Sequence, residues 1–309
     1  MNDYLTFKEI SLQWLAEKHM EVKPTTMAAY RLSLEKHLWP SFKKITDVDV
    51  PSVKKFVTLK LEEGLTPKTV RDILVVLKMI VKFASAKGYM EGGCPEIRYP
   101  KEKNLKYVEV FTQRHQIILM NYLIENVSNK NLGLLICLTA GLRIGEICGL
   151  KWEDIDMEKE IISINKTVYR IYHGRGCGKV SEVIVSSPKT RYSFRSIPIT
   201  EELKKYLRHL ISEVEKDKYV LNNKIHPMEP RAYRNYYKKV LQKLNLPELK
   251  FHCLRHSFAT RCIESDCDYK TVSVILGHSS ISTTLNLYVH PGYEQKKNCI
   301  EKMIKTITK

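Results

Sequence analysis

Apolar residues recur at helical spacing through the first ninety residues, and a stretch rich in glycine, proline and lysine then interrupts the pattern. Four segments carry such an apolar stripe, and none of them has the two-residue alternation of a half-buried strand. The fourth and clearest stripe consists of Val70, Ile73, Leu74, Leu77, Ile80, Val81 and Ala84. We therefore predict a compact helical domain over residues 1–91 and an interdomain linker over residues 92–110.

Signals for helix ends occur at matching positions along this first domain. A capping-box pattern starts at Thr6, prolines suited to a first helical turn follow at Pro24 and Pro51, and Gly64 suits a helix end. The residues expected to face inward on the third helix are Val53, Phe56, Val57 and Leu61. Each helix thus has both a buried face and a defined start, as a small bundle requires.

The rest of the chain mixes helical and strand patterns. Helical spacing occurs at 112–127, 131–148, 201–215, 230–244, 252–264, 269–276, 281–289 and 293–307, and strand patterns occur at 161–164, 183–185 and 194–199. We predict a second, α+β domain over residues 111–290 and a C-terminal helix within residues 291–309. The fold class predicted for the whole chain is mainly α with a small antiparallel β-sheet.

The chain is strongly basic, with a formal net charge of +17 at pH 7. An excess of this size favours a polyanionic partner, with nucleic acid ahead of a membrane surface, although solubility alone is the alternative explanation. No segment has 18 uninterrupted apolar residues, and the N-terminus lacks the basic and apolar regions of a secretion signal. We therefore expect a cytoplasmic protein with no membrane partner.

The eight cysteines do not form a CxxC pair, and several lie in apolar helical stretches. This usage indicates reduced thiols in a cytosolic compartment. A zinc site built from Cys253, His256, Cys262 and Cys267 is conceivable, but the spacing matches no standard ligand pattern. We expect neither a metal nor any other cofactor.

Two arginines lie in settings that suit a bound phosphate. Arg143 follows an apolar helix, and Glu146 lies three residues further on, where it can orient the guanidinium. His252 and Arg255 have the same spacing at a helix start, whose free N–H groups add donors. Arginine donates two parallel hydrogen bonds to a phosphate, which lysine does not. The alternatives are a surface ion pair for the first and a capped surface helix for the second.

A tyrosine and a further histidine follow in the last quarter of the chain. His278 comes directly after Gly277, a glycine suited to a helix end, and Tyr288 lies near the end of the next helix. The phenol pKa of about 10 leaves roughly 0.1% phenolate at neutral pH, so a nucleophilic tyrosine needs nearby cations or a base. The chain has 17 tyrosines, and Tyr288 differs from the others by the residues that accompany it.

Together these motifs closely resemble the tyrosine recombinase, or phage integrase, family. The matching residues are Ala140-Gly141-Leu142-Arg143-x-Gly145-Glu146, His252-x-x-Arg255, Leu276-Gly277-His278 and Tyr288. Their order fits, as does the ten-residue step from His278 to Tyr288, whereas Ala140 stands where the family often has threonine. The resemblance implies an N-terminal helical core-binding domain, a linker, a catalytic domain and a C-terminal helix that is exchanged between protomers or packs on its own domain.

The resemblance also implies a mechanism. Tyr288 would attack a DNA phosphodiester to give a 3′-phosphotyrosine and a free 5′-hydroxyl, while Arg143 and Arg255 hold the non-bridging oxygens. His278 would donate a further hydrogen bond, and His252 would assist proton transfer or position the nucleophile. Lys189, on a hairpin that also carries Arg191 and Arg195, would protonate the leaving 5′-oxygen. The covalent bond conserves energy, so neither ATP nor a metal is needed.

Double-stranded DNA is the implied partner. Arg231, Arg234 and Lys238 fall on one face of a helix with interleaved tyrosines, a pattern that suits DNA contact or a solvated surface. The family likeness adds Lys23, Arg31, Lys68 and Arg71 of the first domain as DNA contacts. It further implies a homotetramer on DNA, a Holliday-junction intermediate and, in some systems, an accessory DNA-bending or directionality factor. Steep salt sensitivity of DNA binding is expected.

Several functions share these motifs. The leading prediction is a simple bacterial site-specific recombinase associated with the nucleoid, either a mobile-element integrase or a DNA invertase, without an N-terminal arm-binding domain. A chromosome-dimer resolvase is the alternative within the same chemistry. A catalytically silent DNA-binding relative belongs to another class, and a relaxing topoisomerase to a third. The intact set of arginines, histidines and Tyr288 argues against the silent relative.

Overall fold

The computed structural model describes residues 5–90, 95–100, 108–174, 180–187, 194–211, 214–288 and 293–308. The chain divides into two compact units. The first, which we call the helical unit, comprises Met1–Lys106 with Arg170–Glu182. The second, the mixed unit, comprises Tyr107–Tyr169 with Val183–Lys309.

The helical unit consists mainly of amphipathic helices, and side chains cap the N-termini of several of them. Its helices are α1 (Phe7–Lys18), α2 (Pro24–Ser33), α3 (Trp39–Ser41), α4 (Val50–Glu62) and α5 (Pro67–Ala86), with a π-helical turn over Leu34–Leu38 and a 3-10 turn over Ile45–Asp47. Thr6 and Glu9 form the predicted capping box, and the side chains of Asp49 and Thr66 cap α4 and α5. These caps satisfy N–H groups that the first helical turn leaves free.

The core of the helical unit follows the predicted stripes closely. All seven residues of the α5 stripe are buried. On α4, however, Leu61 is 36% exposed, which contradicts its predicted inward position, while Lys60 is only 7% exposed. Lys60 continues the face of Val53 and Phe56, so its apolar stem packs inward while its ammonium pairs with Glu63 at 2.8 Å.

The mixed unit contains the remaining helices of the described chain and a small antiparallel sheet. Its helices are α6 (Gln113–Glu125), α7 (Asn129–Ala140), α8 (Ile144–Gly149), α9 (Glu201–Ile211), α10 (Pro230–Lys243), α11 (His252–Glu264), α12 (Tyr269–Leu276), α13 (Ile281–Tyr288) and α14 (Tyr293–Ile307). Helix α7 is apolar and buried over most of its surface, so it lies at the centre of this unit's core. None of the described helices is long and apolar enough to cross a membrane.

Short strands complete the fold. They are β1 (Ile155–Asp156), β2 (Ile161–Ile164), β3 (Thr167–Tyr172), β4 (Ser181–Ser186) and β5 (Arg195–Pro198). Strands β1, β2 and β5 form an antiparallel sheet in which Ile162 lies opposite Ile197, and β3 pairs with β4. Both isoleucines are buried, so this register directs one face of the sheet into the core.

One predicted feature of the mixed unit was wrong, and strand β3 was not predicted. The helix predicted over 131–148 is two helices, because Gly141 ends α7 in the left-handed conformation with φ of 66°. A Cβ atom at this position would lie 2.7 Å from side-chain atoms of both Leu276 and Phe258, so the chain turns where only glycine fits. Strand β3 was missed, because its sequence lacks strict alternation of apolar and polar residues.

Candidate active site

Arg143 lies at the turn between α7 and α8, where it is the N-cap residue of α8. The Glu146 carboxylate accepts hydrogen bonds from the Arg143 backbone N–H at 2.9 Å and from Nη1 at 2.7 Å. Glu146 is 4% exposed, whereas the Arg143 side chain keeps 35% of its surface exposed. The pair is therefore not an ordinary surface ion pair, since a buried carboxylate fixes a guanidinium that a ligand can still reach.

Arg255 lies in the first turn of α11 and is 1% exposed. Its Nη1 donates to the backbone oxygen of Gly141 at 2.9 Å, while its Nη2 has no hydrogen-bond partner among the described residues. Burial, followed by the charge of Arg143, lowers the pKa of Arg255 to about 9, so the side chain remains a cation at neutral pH. A buried cationic donor without a partner costs folding free energy, which points to a ligand.

The glycines that end α7 and α12 each orient one of these arginines. Gly277 ends α12 with φ of 66°, as Gly141 ends α7. Nη2 of Arg143 donates to the backbone oxygen of Gly277 at 3.1 Å, and Arg255 donates to that of Gly141. Gly277 directly precedes His278, and Gly141 lies two residues before Arg143, so each arginine is held by a helix end that leads into another residue of the site.

Arg195, the first residue of β5, also pairs with Glu146, and its side chain is 4% exposed. It donates from Nε to the backbone oxygen of Ile275 at 2.5 Å and from Nη2 to Glu146 at 2.9 Å. Burial alone raises the pKa of the Glu146 carboxyl, but the hydrogen bonds and charge of Arg195, with Arg143, outweigh burial and lower this pKa to about 2. Arg195 therefore connects the sheet, Glu146 and the end of α12.

His278 is oriented from α13. Its Nδ1 lies 2.8 Å from Oγ1 of Thr284, which is completely buried. When the threonine hydroxyl donates to Nδ1, the ring proton is on Nε2, which can donate to a ligand. Burial, followed by the charges of Arg255 and Arg143, lowers the pKa of His278 to about 4, so the imidazole is neutral near pH 7.

Tyr288 ends α13 and is 8% exposed. Its Oη lies 2.6 Å from Nδ1 of His256, in the second turn of α11. Burial raises the pKa of Tyr288 to about 12, against the opposing charges of Arg255 and Arg143. The phenol is therefore protonated at neutral pH, and its oxygen becomes a strong nucleophile only when the proton leaves.

His252 is the first residue of α11 and is exposed. Its ring lies edge-on to that of His256, with 4.4 Å between centroids. Partial desolvation of the ring by its neighbours, followed by the charges of His256 and Arg255, lowers the pKa of His252 to about 4. Its predicted role in proton transfer or positioning stays a prediction, and the hydrogen bond to Tyr288 comes from His256.

The mixed unit thus brings together most of the residues singled out in the sequence, namely Arg143, Glu146, His252, Arg255, His278 and Tyr288. Lys189 and the neighbouring Arg191 lie outside the described residues. Exposed positions are occupied by Arg231, Arg234 and Lys238 on α10, and by Lys23, Lys68 and Arg71 in the helical unit, where Arg31 is half-buried.

Sequence reasoning did not assign roles to His256, Arg195 and Thr284. His256 directly follows Arg255, and its four-residue spacing from His252 on a helix was a usable signal. The ion pair between Arg195 and Glu146 joins residues 49 positions apart. Thr284 lies six residues after His278, across a turn between two helices. Neither of these last two contacts has a local signature in the sequence.

This arrangement suits transfer of a phosphoryl group to a side-chain oxygen. Two fixed guanidinium groups and the neutral His278 can stabilise negative charge on a phosphate. Tyr288 is within reach of a histidine that can change its protonation state. The described residues contain no cluster of three or more histidine, cysteine or acidic side chains suited to a metal ion.

Comparisons with known proteins agree with this chemistry. The model of the phage integrase family matches residues 111–295, and that of the N-terminal SAM-like domain of phage integrases matches residues 6–60. The chain is 29% identical to a XerC-like tyrosine recombinase of Caldanaerobacter subterraneus subsp. tengcongensis, an alignment that covers 96% of this chain and 82% of that protein. It is 24% identical to the ICEBs1 integrase of Bacillus subtilis, over 97% and 83% of the two chains.

Solved structures share the fold. The Tn1549 transposon integrase in complex with transposon right-end DNA superposes with a TM-score of 0.76 at 21% identity, over 97% of this chain and 100% of that one. A lambda integrase tetramer bound to a Holliday junction superposes with a TM-score of 0.67 at 14% identity, over 94% and 80%. The family model covers more than half of the chain, and the chain therefore belongs to the phage integrase family, as a tyrosine-type site-specific DNA recombinase.

Proposed function

We propose that this recombinase cuts and rejoins DNA through a covalent bond between Tyr288 and a DNA 3′-phosphate. Oη of Tyr288 attacks the phosphodiester in line with the 5′-oxygen, which leaves as a hydroxyl. Arg143 and Arg255 donate to the non-bridging oxygens, where negative charge develops. A 5′-hydroxyl of the partner strand then attacks the phosphotyrosine, and the reverse chemistry rejoins the DNA without ATP or a metal.

The remaining side chains of the proposed site assist these two steps. His278 donates a hydrogen bond to the phosphate from the nitrogen that does not face Thr284. Glu146 keeps the Arg143 guanidinium in one orientation. Lys189, outside the described residues, protonates the leaving 5′-oxygen, and His252 contributes to proton transfer or to positioning of the nucleophile.

The observation that carries this proposal is the state of Arg255. Its charge is 1% exposed, and one of its terminal nitrogens has no partner among the described residues. A fold built only for stability would gain from an apolar side chain here. A phosphate in the site would supply both the missing acceptor and the counter-charge, beside a tyrosine whose hydroxyl both arginines influence.

The test uses DNA that traps the covalent product. A recognised sequence is first enriched from a random duplex library by binding to the protein. A nick is then placed so that the short fragment released with a free 5′-hydroxyl diffuses away. We expect wild type to form a covalent adduct and Tyr288→Phe to form none, because phenylalanine lacks the attacking oxygen. Tyr269→Phe, at a 41% exposed tyrosine of α12, is the matched control. Equal adduct from wild type and Tyr288→Phe contradicts the proposal.

We infer that exposed basic residues hold the duplex. Arg231, Arg234 and Lys238 project from α10, and further cations lie on the helical unit. Because each phosphate contact releases counterions, replacing these three residues by alanine is expected to reduce the slope of log affinity against log salt by about 1 per lost contact. Nitrocellulose filter binding at salt concentrations from about 50 to about 300 mM measures this slope. An unchanged slope would assign this face to solvent.

We further propose a homotetramer on DNA in which α14 packs on another copy. Helix α14 exposes an apolar stripe formed by Ile300, Met303, Ile304 and Ile307. A continuous stripe of this kind is unfavourable in water unless a partner covers it. Met303→Glu is expected to reduce the DNA-bound assembly from tetramer to smaller species in analytical ultracentrifugation. A tetramer unaffected by this substitution would mean that α14 does not join the protomers.

The proposed biological role is that of a mobile-element integrase or DNA invertase acting at the bacterial nucleoid in the cytoplasm, through a Holliday junction. Integrases of a transposon and of ICEBs1 among the similar proteins favour this role, whereas the XerC-like relative keeps chromosome-dimer resolution as the second candidate. Paired sites on a reporter plasmid separate these roles, because inversion, excision and integration give different products. The same reporter, assayed with and without a candidate accessory factor, tests whether recombination requires one.

A further inference from the structure

The hydroxyl of Tyr288 is paired with a histidine that has no role in the mechanism above. Nδ1 of His256 lies 2.6 Å from Oη of Tyr288, and the two ring centroids are 5.6 Å apart. The histidine is on the second turn of α11, whose first turn carries Arg255. The helix that positions a phosphate-binding arginine therefore also positions an imidazole on the proposed nucleophile.

Two other tyrosines of the mixed unit, the buried Tyr233 and the half-buried Tyr236, have hydroxyl partners of a different kind. The hydroxyl of Tyr233 donates to the backbone oxygen of Lys130 at 2.8 Å, and that of Tyr236 to the side-chain oxygen of Asn131 at 2.5 Å. These acceptors satisfy a buried hydroxyl but do not take its proton. An imidazole can accept the hydrogen bond and can also take the proton. A tyrosine with only a structural role does not need a partner that can take its proton.

We propose that His256 is the general base that removes the phenol proton of Tyr288 during DNA cleavage. This inference rests on the proposed function of Tyr288 as nucleophile. As the Oη–P bond forms, the Oη–H bond breaks and the proton passes to Nδ1 of His256. The P–O5′ bond breaks at the same time, and the 5′-oxygen takes a proton from the proposed acid Lys189. In rejoining, the phenolate leaves phosphorus and His256 returns the proton to it.

The charges around the pair are consistent with this direction of transfer. Burial, followed by the charge of Arg255, lowers the pKa of His256 from its ordinary value, so the ring is neutral and can accept a proton at pH 7. His252 faces it edge-on from the same helix, and Arg255 and Arg143 act on the hydroxyl of Tyr288. Both arginines stabilise the phenolate once the proton has moved.

Two substitutions separate the hydrogen bond from the proton transfer. His256→Ala removes both, whereas His256→Asn places an amide near the position of Nδ1 and keeps a hydrogen bond without a basic nitrogen. We expect both variants to bind the nicked duplex as wild type does and to form the covalent adduct about 100-fold more slowly or worse at pH 7. His226→Ala, at an exposed histidine, is the matched control and should react at the wild-type rate.

The pH profile of adduct formation gives an independent readout. In wild type the rate should level off above the pKa of His256, because the base is then neutral. Without the base, the rate should follow the phenolate fraction of Tyr288 and rise about tenfold per pH unit between pH 7 and 9. A purely structural His256 would lower the rate without changing the shape of the profile.

Chemical rescue then distinguishes a base from an acid. A fluorinated tyrosine at position 288, with a more acidic phenol, should restore much of the rate of adduct formation in His256→Ala. A substrate with a 5′-bridging sulfur, whose thiolate leaves without protonation, should restore the rate of adduct formation in Lys189→Ala but not in His256→Ala. Restoration of His256→Ala by the sulfur substrate would overturn the proposal, because it would place His256 at the leaving group.

Failure of this inference is distinguishable from failure of the proposed function. Adduct formation by His256→Ala within about threefold of wild type, with Tyr288→Phe inactive, overturns the role of His256 and leaves the nucleophile in place. Adduct formation by Tyr288→Phe overturns both. Loss of duplex binding or of the thermal unfolding transition in both His256 variants also overturns the proposal, since His256 would then be structural.

Discussion

Helices α5 and α11 are both largely buried on one side, but they bury different chemistry. The buried positions of α5 in the helical unit are all apolar. Those of α11 in the mixed unit include Arg255 and Ser257 beside Leu254 and other small or apolar residues. Ser257 accepts a hydrogen bond from the backbone N–H of Phe111 at 2.8 Å, so its burial has a structural explanation. Arg255 donates from Nη1 to Gly141, but its buried Nη2 has no hydrogen-bond partner among the described residues.

This difference separates residues chosen for folding from residues chosen for chemistry. An apolar stripe lowers the free energy of the folded state in proportion to the area removed from water. A buried guanidinium with an unpaired nitrogen raises that free energy and is kept only where it gains something else. The comparison predicts that stability and activity respond in opposite ways to substitutions on the two helices.

The largest effect is expected from Arg255→Met, which replaces the buried charge by an apolar side chain of similar length. Adduct formation on the nicked duplex should fall about 1,000-fold, because a donor to the developing phosphate charge is lost. The free energy of unfolding in urea should stay equal or rise by about 1 to 4 kcal/mol. Arg261→Met, on the same helix at an arginine paired with Glu264, should leave both quantities near wild type. A strongly destabilised Arg255→Met protein would remove the distinction between the helices.

For α5 we expect the opposite result, a large loss of stability with little change in activity. Leu74→Ala deletes a completely buried side chain and should lower the free energy of unfolding by about 2 to 5 kcal/mol. At saturating DNA, the adduct rate per folded molecule should stay within about twofold of wild type, since α5 carries predicted DNA contacts, Lys68 and Arg71, but no group of the proposed active site. Val75→Ala, at the neighbouring 40% exposed position, should change stability by no more than about 0.5 kcal/mol. A loss of activity in folded Leu74→Ala would give α5 a catalytic role.

The same contrast explains how much of the fold the sequence predicted. The α5 stripe and the capping box at Thr6 are local signals, and both were confirmed by the structure. The break at Gly141 was missed within a longer apolar pattern, because it depends on how closely Leu276 and Phe258 approach the turn. Periodicity reports which residues face a core, but it carries no information on contacts between distant segments.

The candidate site was predictable to the extent that its residues occur in motifs. Arg255 and Tyr288 were singled out because charge, spacing and family likeness coincided. His256 was considered only as a member of the conceivable zinc site, since only the folded chain brings α13 against α11. Arg195 was missed as a contact of Glu146 for the same reason.

Arg195→Met tests whether a buried charge can act on chemistry at a distance. Loss of its hydrogen bonds should free Glu146 and with it Arg143, and reduce the adduct rate about 10- to 100-fold. Arg195 helps to hold the pKa of Glu146 at about 2, so its removal should raise this pKa. As the pH is lowered, activity of the variant should therefore fall at a higher pH than activity of wild type. Rates measured from about pH 4 to 8 provide the profile. Ser196→Ala, at the next exposed position of β5, is the control. An acid limb that does not shift in Arg195→Met would mean that Arg195 does not act on activity through Glu146.

The smallest effect concerns acid stability, which should depend on the mixed unit's histidines and not on the apolar core of α5. The pKa of His278 is about 4 in the folded protein and about 6.5 in an unfolded chain, so the unfolded state binds more protons between these values. Stability should therefore decrease as pH falls from 6.5 towards 4, by about 1 kcal/mol for this residue after allowance for solvent screening. His278→Asn keeps an acceptor for Thr284 and should reduce the loss in urea unfolding at pH 5 relative to pH 7.5. His226→Asn should leave the loss unchanged, and equal pH dependence of all three proteins would show that His278 is not held neutral by the site.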